Sequence, residues 1–244
     1  MLSNLSDVFQ PAVFRQEDEE AVLAGHFANR IGGYFVEVGA YHPTILSQSK
    51  LLETRGWTGI MVEPLADQAK VLREQRTSNV AQVACGSPAQ HGTTIQIGRL
   101  GGLSTLRADR LSEDRRYNTF ETVQVVTLDS ILEADQPPSI DFVSIDVEGG
   151  ELDVLAGFDL ARWKPGLLLI EDHIENDDIH RHMKRNAYRR VRRTGDNSWY
   201  VPNETPFPMS VFGRWQILRK YYLGRPLRAL RTRKFRASLL ADKT

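Results

Sequence analysis

Cysteine is almost missing from this chain of 244 residues: Cys85 stands alone, so no internal disulfide can brace the fold and a reducing compartment is expected. Long apolar runs are missing too. No segment reaches the roughly 20 residues that a bilayer-spanning helix needs. The start Met-Leu-Ser-Asn-Leu-Ser-Asp lacks the basic-then-apolar pattern of a secretion signal, and a cytoplasmic protein is expected. Net charge is zero, with 31 Lys and Arg against 31 Asp and Glu, but acidic residues dominate as far as Asp178 and basic ones from Arg181 onward. Two nucleotide signatures are absent. No Gly-x-x-x-x-Gly-Lys is present, which excludes a P-loop enzyme. Gly39-Ala-Tyr-His-Pro43 lacks the three spaced glycines of a nicotinamide site. Repeats and low-complexity tracts are absent as well. What remains, 41% hydrophobic and 25% charged, suits one ordinary globular domain with a sizeable core.

The most informative stretch is Gly33-Tyr-Phe-Val-Glu-Val-Gly-Ala-Tyr41. Its apolar run reads as a strand covered on both faces of a parallel sheet. Glu37 interrupts that run. An unpaired carboxylate is costly in a core, so it is expected to face a cationic or hydroxylated ligand, with Gly39 allowing a tight turn and a close approach. Three later strands also end in acids: Glu63 before Pro64, Asp146 with Glu148 and Glu151 just beyond, and Glu171-Asp172-His173.

Between these strands the pattern alternates. A helix with an acidic start at Glu17 to Glu20 is expected to pack on the sheet edge. Later helices are expected to end at Arg55-Gly56, to run from Ala66 to about Arg76, and to cover 129–134, 152–160 and 177–188. Residues 79–85 read as the third strand, 93–97 as a β-rich excursion, 99–105 as a flexible loop near the site, 122–128 as another β-branched run and 188–201 as a terminal hairpin. This is α/β: a doubly wound, Rossmann-like, mostly parallel sheet with helices on both faces. The expected divisions are a helical extension over 1–32, the α/β domain over 33–213 and a basic tail over 214–244.

In such sheets ligands sit beyond the carboxyl ends of the strands. That edge would gather Glu37, Glu63, Asp146, Glu171, Asp172 and His173, a set that repels phosphate-rich ligands. A nucleoside with free ribose hydroxyls and a positive sulfonium fits better, and S-adenosylmethionine is that ligand. The segments Phe-Val-Glu-Val-Gly-Ala, Leu-Leu-Glu-Thr-Arg-Gly-Trp-Thr-Gly-Ile-Met-Val-Glu-Pro, Val-Thr-Leu-Asp-Ser-Ile and Phe-Val-Ser-Ile-Asp-Val-Glu-Gly-Gly-Glu resemble the FkbM family of S-adenosylmethionine-dependent methyltransferases over roughly residues 33 to 175. The resemblance implies a class I methyltransferase sheet and methyl transfer to an oxygen, often on a sugar. It places Glu37 and Gly39 beside the methionine part of the cofactor, Glu63 on the ribose and Asp146 as the acid closing the site. Tyr41, Ser47, Pro64 and Cys85 complete the expected cofactor contacts, Cys85 as a packing residue near the adenine. Tyr41-His42-Pro43 departs from the small polar turn usual in the family. The compact length and basic tail are similar to the branch that methylates the 2-hydroxyl of fucose in nodulation factors and glycolipids.

A sugar hydroxyl must lose a proton to attack, so a base, a metal or both are needed. Asp146, Glu171 and Asp172 are candidate ligands for Mg²⁺, a hard cation that takes carboxylate oxygens; loop capping or cofactor binding is the alternative role for these acids. His173 and Glu148 are the candidate bases, with Asp146 beside them in the catalytic set. His180 and His182 read as a solvated helix face. The basic tail, with apolar residues interleaved, is a candidate for contact with an anionic membrane that carries a lipid-linked sugar. The competing function is a nucleic-acid-binding, catalytically inert relative that uses this basic third. No stacking motif supports it, and no nucleic-acid partner is expected.

Overall fold

The computed structural model describes residues 16–28, 30–98, 120–172, 177–209 and 211–218. The expected loop over 99–105, the candidate base His173 and the tail beyond Leu218 lie outside them. Alternating strands and helices run α1 (Gln16–Phe27), β1 (Tyr34–Val38), α2 (Lys50–Glu53), β2 (Thr58–Val62), α3 (Ala66–Gln75) and β3 (Asn79–Ala81). A small excursion follows, β4 (Ala84–Cys85), β5 (Thr94–Gly98) and β6 (Phe120–Val126). The second half comprises α4 (Leu128–Asp135), β7 (Phe142–Ile145), α5 (Glu151–Ala156), α6 (Leu160–Trp163), β8 (Leu167–Glu171), α7 (Asp178–Arg185), the hairpin β9 (Tyr188–Thr194) and β10 (Asn197–Pro202), and α8 (Val211–Ile217).

Seven strands form one sheet in the order β3-β2-β1-β7-β8-β10-β9. The first five are parallel, and β10 lies antiparallel to both β8 and β9. Chain order therefore reverses between β1 and β7, and the crevice of a doubly wound sheet opens at that point.

Side-chain alternation along the strands builds two cores. Tyr34, Val36 and Val38 join Val62, Ile145 and Ile170 against helices α4, α5 and α7 on one face. Phe35 joins Met61, Phe142, Leu169 and Trp199 on the other, covered by Leu52 of α2 and Leu72 of α3. Helix α1 does not sit on the sheet edge. Val22, Leu23 and Phe27 pack into this second core beside Trp57, because a helix with three buried apolar side chains needs a face to cover. Leu23 is fully buried, so its truncation to alanine should cost about 2–5 kcal/mol.

The expected third strand over 79–85 is two strands. Only β3 joins the main sheet, while β4 pairs parallel with β6, and β6 pairs antiparallel with β5. Leu65, Ala84, Ile97, Val123 and Val125 form a third, smaller core beneath this second sheet. Among the described residues no helix is long and apolar enough to cross a membrane.

Candidate active site

A cleft of about 860 Å³, measured out to its open mouth, lies where β1, β2 and β7 end. Val38, Gly39 and Val62 form its floor, Tyr41, Leu46 and Gln48 one wall, Leu65, Ala84, Cys85 and Ile97 an apolar wall, and Asp146 to Glu148 the far side.

Gly39 makes the floor possible. Its φ is +87°, and a Cβ there would lie 1.8 Å from the Asp146 carbonyl oxygen. The amides of Gly39 and Ala40 both donate to the Val62 carbonyl, at 2.9 and 3.2 Å, and Asp146 N donates to Val38 O at 3.0 Å. Three strand ends are thus stitched together where only glycine fits. Tyr41 (φ 46°), Leu46 (φ 61°) and Glu148 (φ 56°) also adopt left-handed backbone conformations, and all three line the cleft. Each such residue costs on the order of 1–3 kcal/mol and persists only where its surroundings fix it.

Glu63 stands one residue past β2, buried to 3% exposure, with its carboxylate in the cleft. It accepts from Tyr41 N at 2.8 Å through one oxygen and from Leu65 N at 2.9 Å through the other. Burial raises its pKa to about 7 against the lowering effect of those two bonds. The two amides thus fix both carboxylate oxygens at the cleft.

Glu37 does not face the cleft. It shares the parity of Phe35, pointing toward the α2–α3 side of the sheet, and it is 1% exposed. There it accepts from Gln48 N at 2.8 Å, Ser47 Oγ at 3.3 Å and Ser49 Oγ. Ser47 likewise lies behind the cleft wall and not on it. The fully enclosed Arg76, which the sequence reading passed over, completes this network. Glu53 anchors the outer end: burial pushes its pKa up, but hydrogen bonds from Arg76 and Ser78 outweigh that and hold it at about 2. Buried charge paired in this way is scaffold.

Across the cleft, Asp146, Glu148 and Glu171 bring one carboxylate oxygen each within 4.8 Å of one another. Asp146 is held well above the usual carboxylate range, first by burial and then by the charges of Glu171, Glu148 and Glu151. Asp172 is not part of this group. It turns to the hairpin, accepting from Ser198 Oγ and Arg190 Nη2 at 3.0 Å, while Arg193 Nη2 donates to its carbonyl at 2.8 Å. Asp172, one residue past β8, therefore does not join Glu171, and Glu148 occupies the place expected for Asp172. Glu151 was expected only as an acid near the turn. It shapes that turn by accepting from Val147 N at 3.2 Å and Gly149 N at 2.9 Å, and burial raises its pKa to about 7.

Cys85 lines the apolar wall, and burial pushes its thiol up to about 12, so it packs as a neutral group. His180 and His182 are not a solvated face. Both are half-buried, which lowers the pKa of each, and His180 lies 6.1 Å from the Tyr200 ring. Buried Glu19 of α1, held by Thr194 Oγ1 at 3.0 Å and Asn197 Nδ2 at 2.8 Å, is a residue that sequence reasoning missed. Its acidic neighbours in sequence read only as a helix start.

A comparison with curated proteins finds no match. The family model described as "Methyltransferase FkbM domain" matches residues 37–190, a span that runs from buried Glu37 through the cleft, the acidic trio and the turn into β9. That is more than half of the chain, and it contains the residues that line the switch-point cleft described above, so this protein belongs to the FkbM methyltransferase family.

Proposed function

We propose that the protein is an S-adenosylmethionine-dependent O-methyltransferase acting on a sugar hydroxyl. The observation that carries this reading is Glu63: a carboxylate beyond the second strand, fixed at the cleft by two amides, where it can accept from two vicinal hydroxyls. The other residues fit the same cofactor. Gly39 leaves room for close approach, Leu65, Ile97 and Cys85 offer an apolar wall to a purine, and the acidic side favours a sulfonium. When bound, S-adenosylmethionine supplies an electrophilic methyl group for in-line displacement by an acceptor oxygen.

The acidic trio supplies what that oxygen requires. Asp146, with its raised proton affinity, takes the hydroxyl proton, while Glu148 at the rim and Glu171 behind accept further hydroxyls of a polyol. The same three oxygens could hold Mg²⁺. Activity lost in chelator and restored by Mg²⁺ would assign them to the metal, and full activity in chelator would assign them to the proton. The acceptor is membrane-linked in this reading. Val211 and Trp215 of α8 and Leu218 just beyond it are 85%, 47% and 51% exposed, and the basic segment of the sequence follows them. Cosedimentation with anionic but not neutral liposomes supports this, and retention on nucleic acid alone counts against it.

The test of the whole reading is calorimetric titration with S-adenosylmethionine and S-adenosylhomocysteine. Wild type should bind both, and Glu63→Ala should weaken binding at least tenfold, after which fucosylated acceptors are the first to assay. A folded wild type that binds neither ligand rejects it.

A further inference from the structure

We propose that Arg76 is a positioning residue for the methyl donor, clamping from behind the loop over residues 41–49 whose front lines the cleft. The inference rests on reading that cleft as the donor site. Arg76 caps the carboxyl end of α3, and its side chain is fully enclosed. Nη1 donates to the Pro43 carbonyl at 3.2 Å and to Ser47 Oγ at 3.0 Å, and Nη2 donates to Ser49 Oγ at 2.8 Å. Nε donates to Glu53 at 2.5 Å. Both serines pass the polarity onward by donating to Glu37, which also takes the Gln48 amide. Each serine hydroxyl accepts from the guanidinium and donates to the carboxylate, so the direction of every bond is fixed.

Within the loop His42 ties the backbone locally, its Nδ1 accepting from Thr44 N at 3.2 Å and Ile45 N at 3.0 Å. The loop contains no helix or strand, and two of its residues, Tyr41 and Leu46, have left-handed backbones. It nevertheless presents Tyr41, Leu46 and Gln48 to the cleft. A strained loop stays in place only if something over-determines it, and here a planar fork grips it at three points while Glu37 takes the amide between the two serines. Lysine keeps the charge but not the fork.

Arg76→Lys and Ser49→Ala separate this role from simple support of the fold. Ser49→Ala leaves the Arg76–Glu53 pair intact. Titration with S-adenosylhomocysteine should show Arg76→Lys weakened about 10- to 100-fold and Ser49→Ala about 3- to 10-fold. In turnover assays KM for the methyl donor should rise while kcat stays within about twofold. Asp172→Asn is the control: it breaks a buried ion pair outside the cleft and should lower stability without lowering donor affinity. If Arg76→Lys does not fold, Ser49→Ala decides alone. Wild-type affinity in the folded variants overturns the clamp and leaves the donor site standing. Failure of wild type itself to bind overturns both.

Discussion

On the β1–β2 side of the switch point, buried carboxylates are met by donors. Glu37 takes two serines and an amide, Glu53 takes Arg76 and Ser78, and Glu63 takes two amides. On the β7–β8 side, Asp146, Glu148 and Glu171 face one another, and burial with mutual repulsion drives Asp146 up. The first half spends its charge on holding a cavity in shape. The second keeps charge close together where an incoming proton, cation or hydroxyl would relieve it, an arrangement that marks a site of chemistry more than one of support.

The two halves meet at Gly39, and the largest effect is expected there. Gly39→Ala places a methyl group against the Asp146 carbonyl in a left-handed backbone. The joint must open, with a loss of at least about 4 kcal/mol and no measurable cofactor binding. Denaturant unfolding with calorimetry checks this, and near-native stability would show that the two halves are not rigidly joined.

Asp172→Asn probes a carboxylate that resembles the trio in sequence but belongs to the scaffold. It removes the buried carboxylate that Arg190 and Arg193 share, which should cost about 3 kcal/mol while cofactor affinity is unchanged. Reduced affinity at unaltered stability would move Asp172 back into the site.

Glu37 and Asp172 also show where the sequence stops being readable. The order of strands and helices, Gly39 at the turn and the acids at 63 and 146 follow from local pattern, since a strand ending in glycine or proline announces itself. Which face an acid takes does not. The run Tyr34–Val38 is buried on both sides, so it carries no polar alternation to show that Glu37 points away from the cleft. Asp172 follows a strand that is equally buried throughout, and its partners Arg190, Arg193 and Ser198 lie in a hairpin beyond α7. Arg76 reads in the sequence only as the approximate end of a helix, because its partners lie 23 to 33 residues earlier in the chain.

Acidity separates the classes of carboxylate more gently. Glu19, Glu63 and Glu151 have folded pKa values raised to about 7. The native state therefore holds protons that the unfolded chain releases near the ordinary value of 4.5, and stability should increase as pH falls from about 7 toward about 5. Glu53, lowered to about 2, acts oppositely: its contribution is present above the ordinary value and is lost as pH falls from about 4.5 toward 2. Unfolding free energies measured between pH 3 and 8 should peak near pH 5, and a monotonic rise to pH 8 would contradict the burial of the raised acids.

The smallest effect has the sign that separates the acidic trio from the donor-held carboxylates most clearly. Asp146→Asn keeps the shape of a buried side chain and removes one charge from a crowded trio, so the cofactor-free protein should gain about 1 kcal/mol. Methyl transfer should fall by two orders of magnitude or more, because the amide cannot accept the acceptor's proton. Asp172→Asn should do the reverse, losing stability and keeping turnover per folded molecule. Measured side by side, one carboxamide that stabilises and inactivates and another that destabilises and stays active would establish the division. Loss of stability in both would mean that the trio, like the other half, is held by donors and is part of the scaffold.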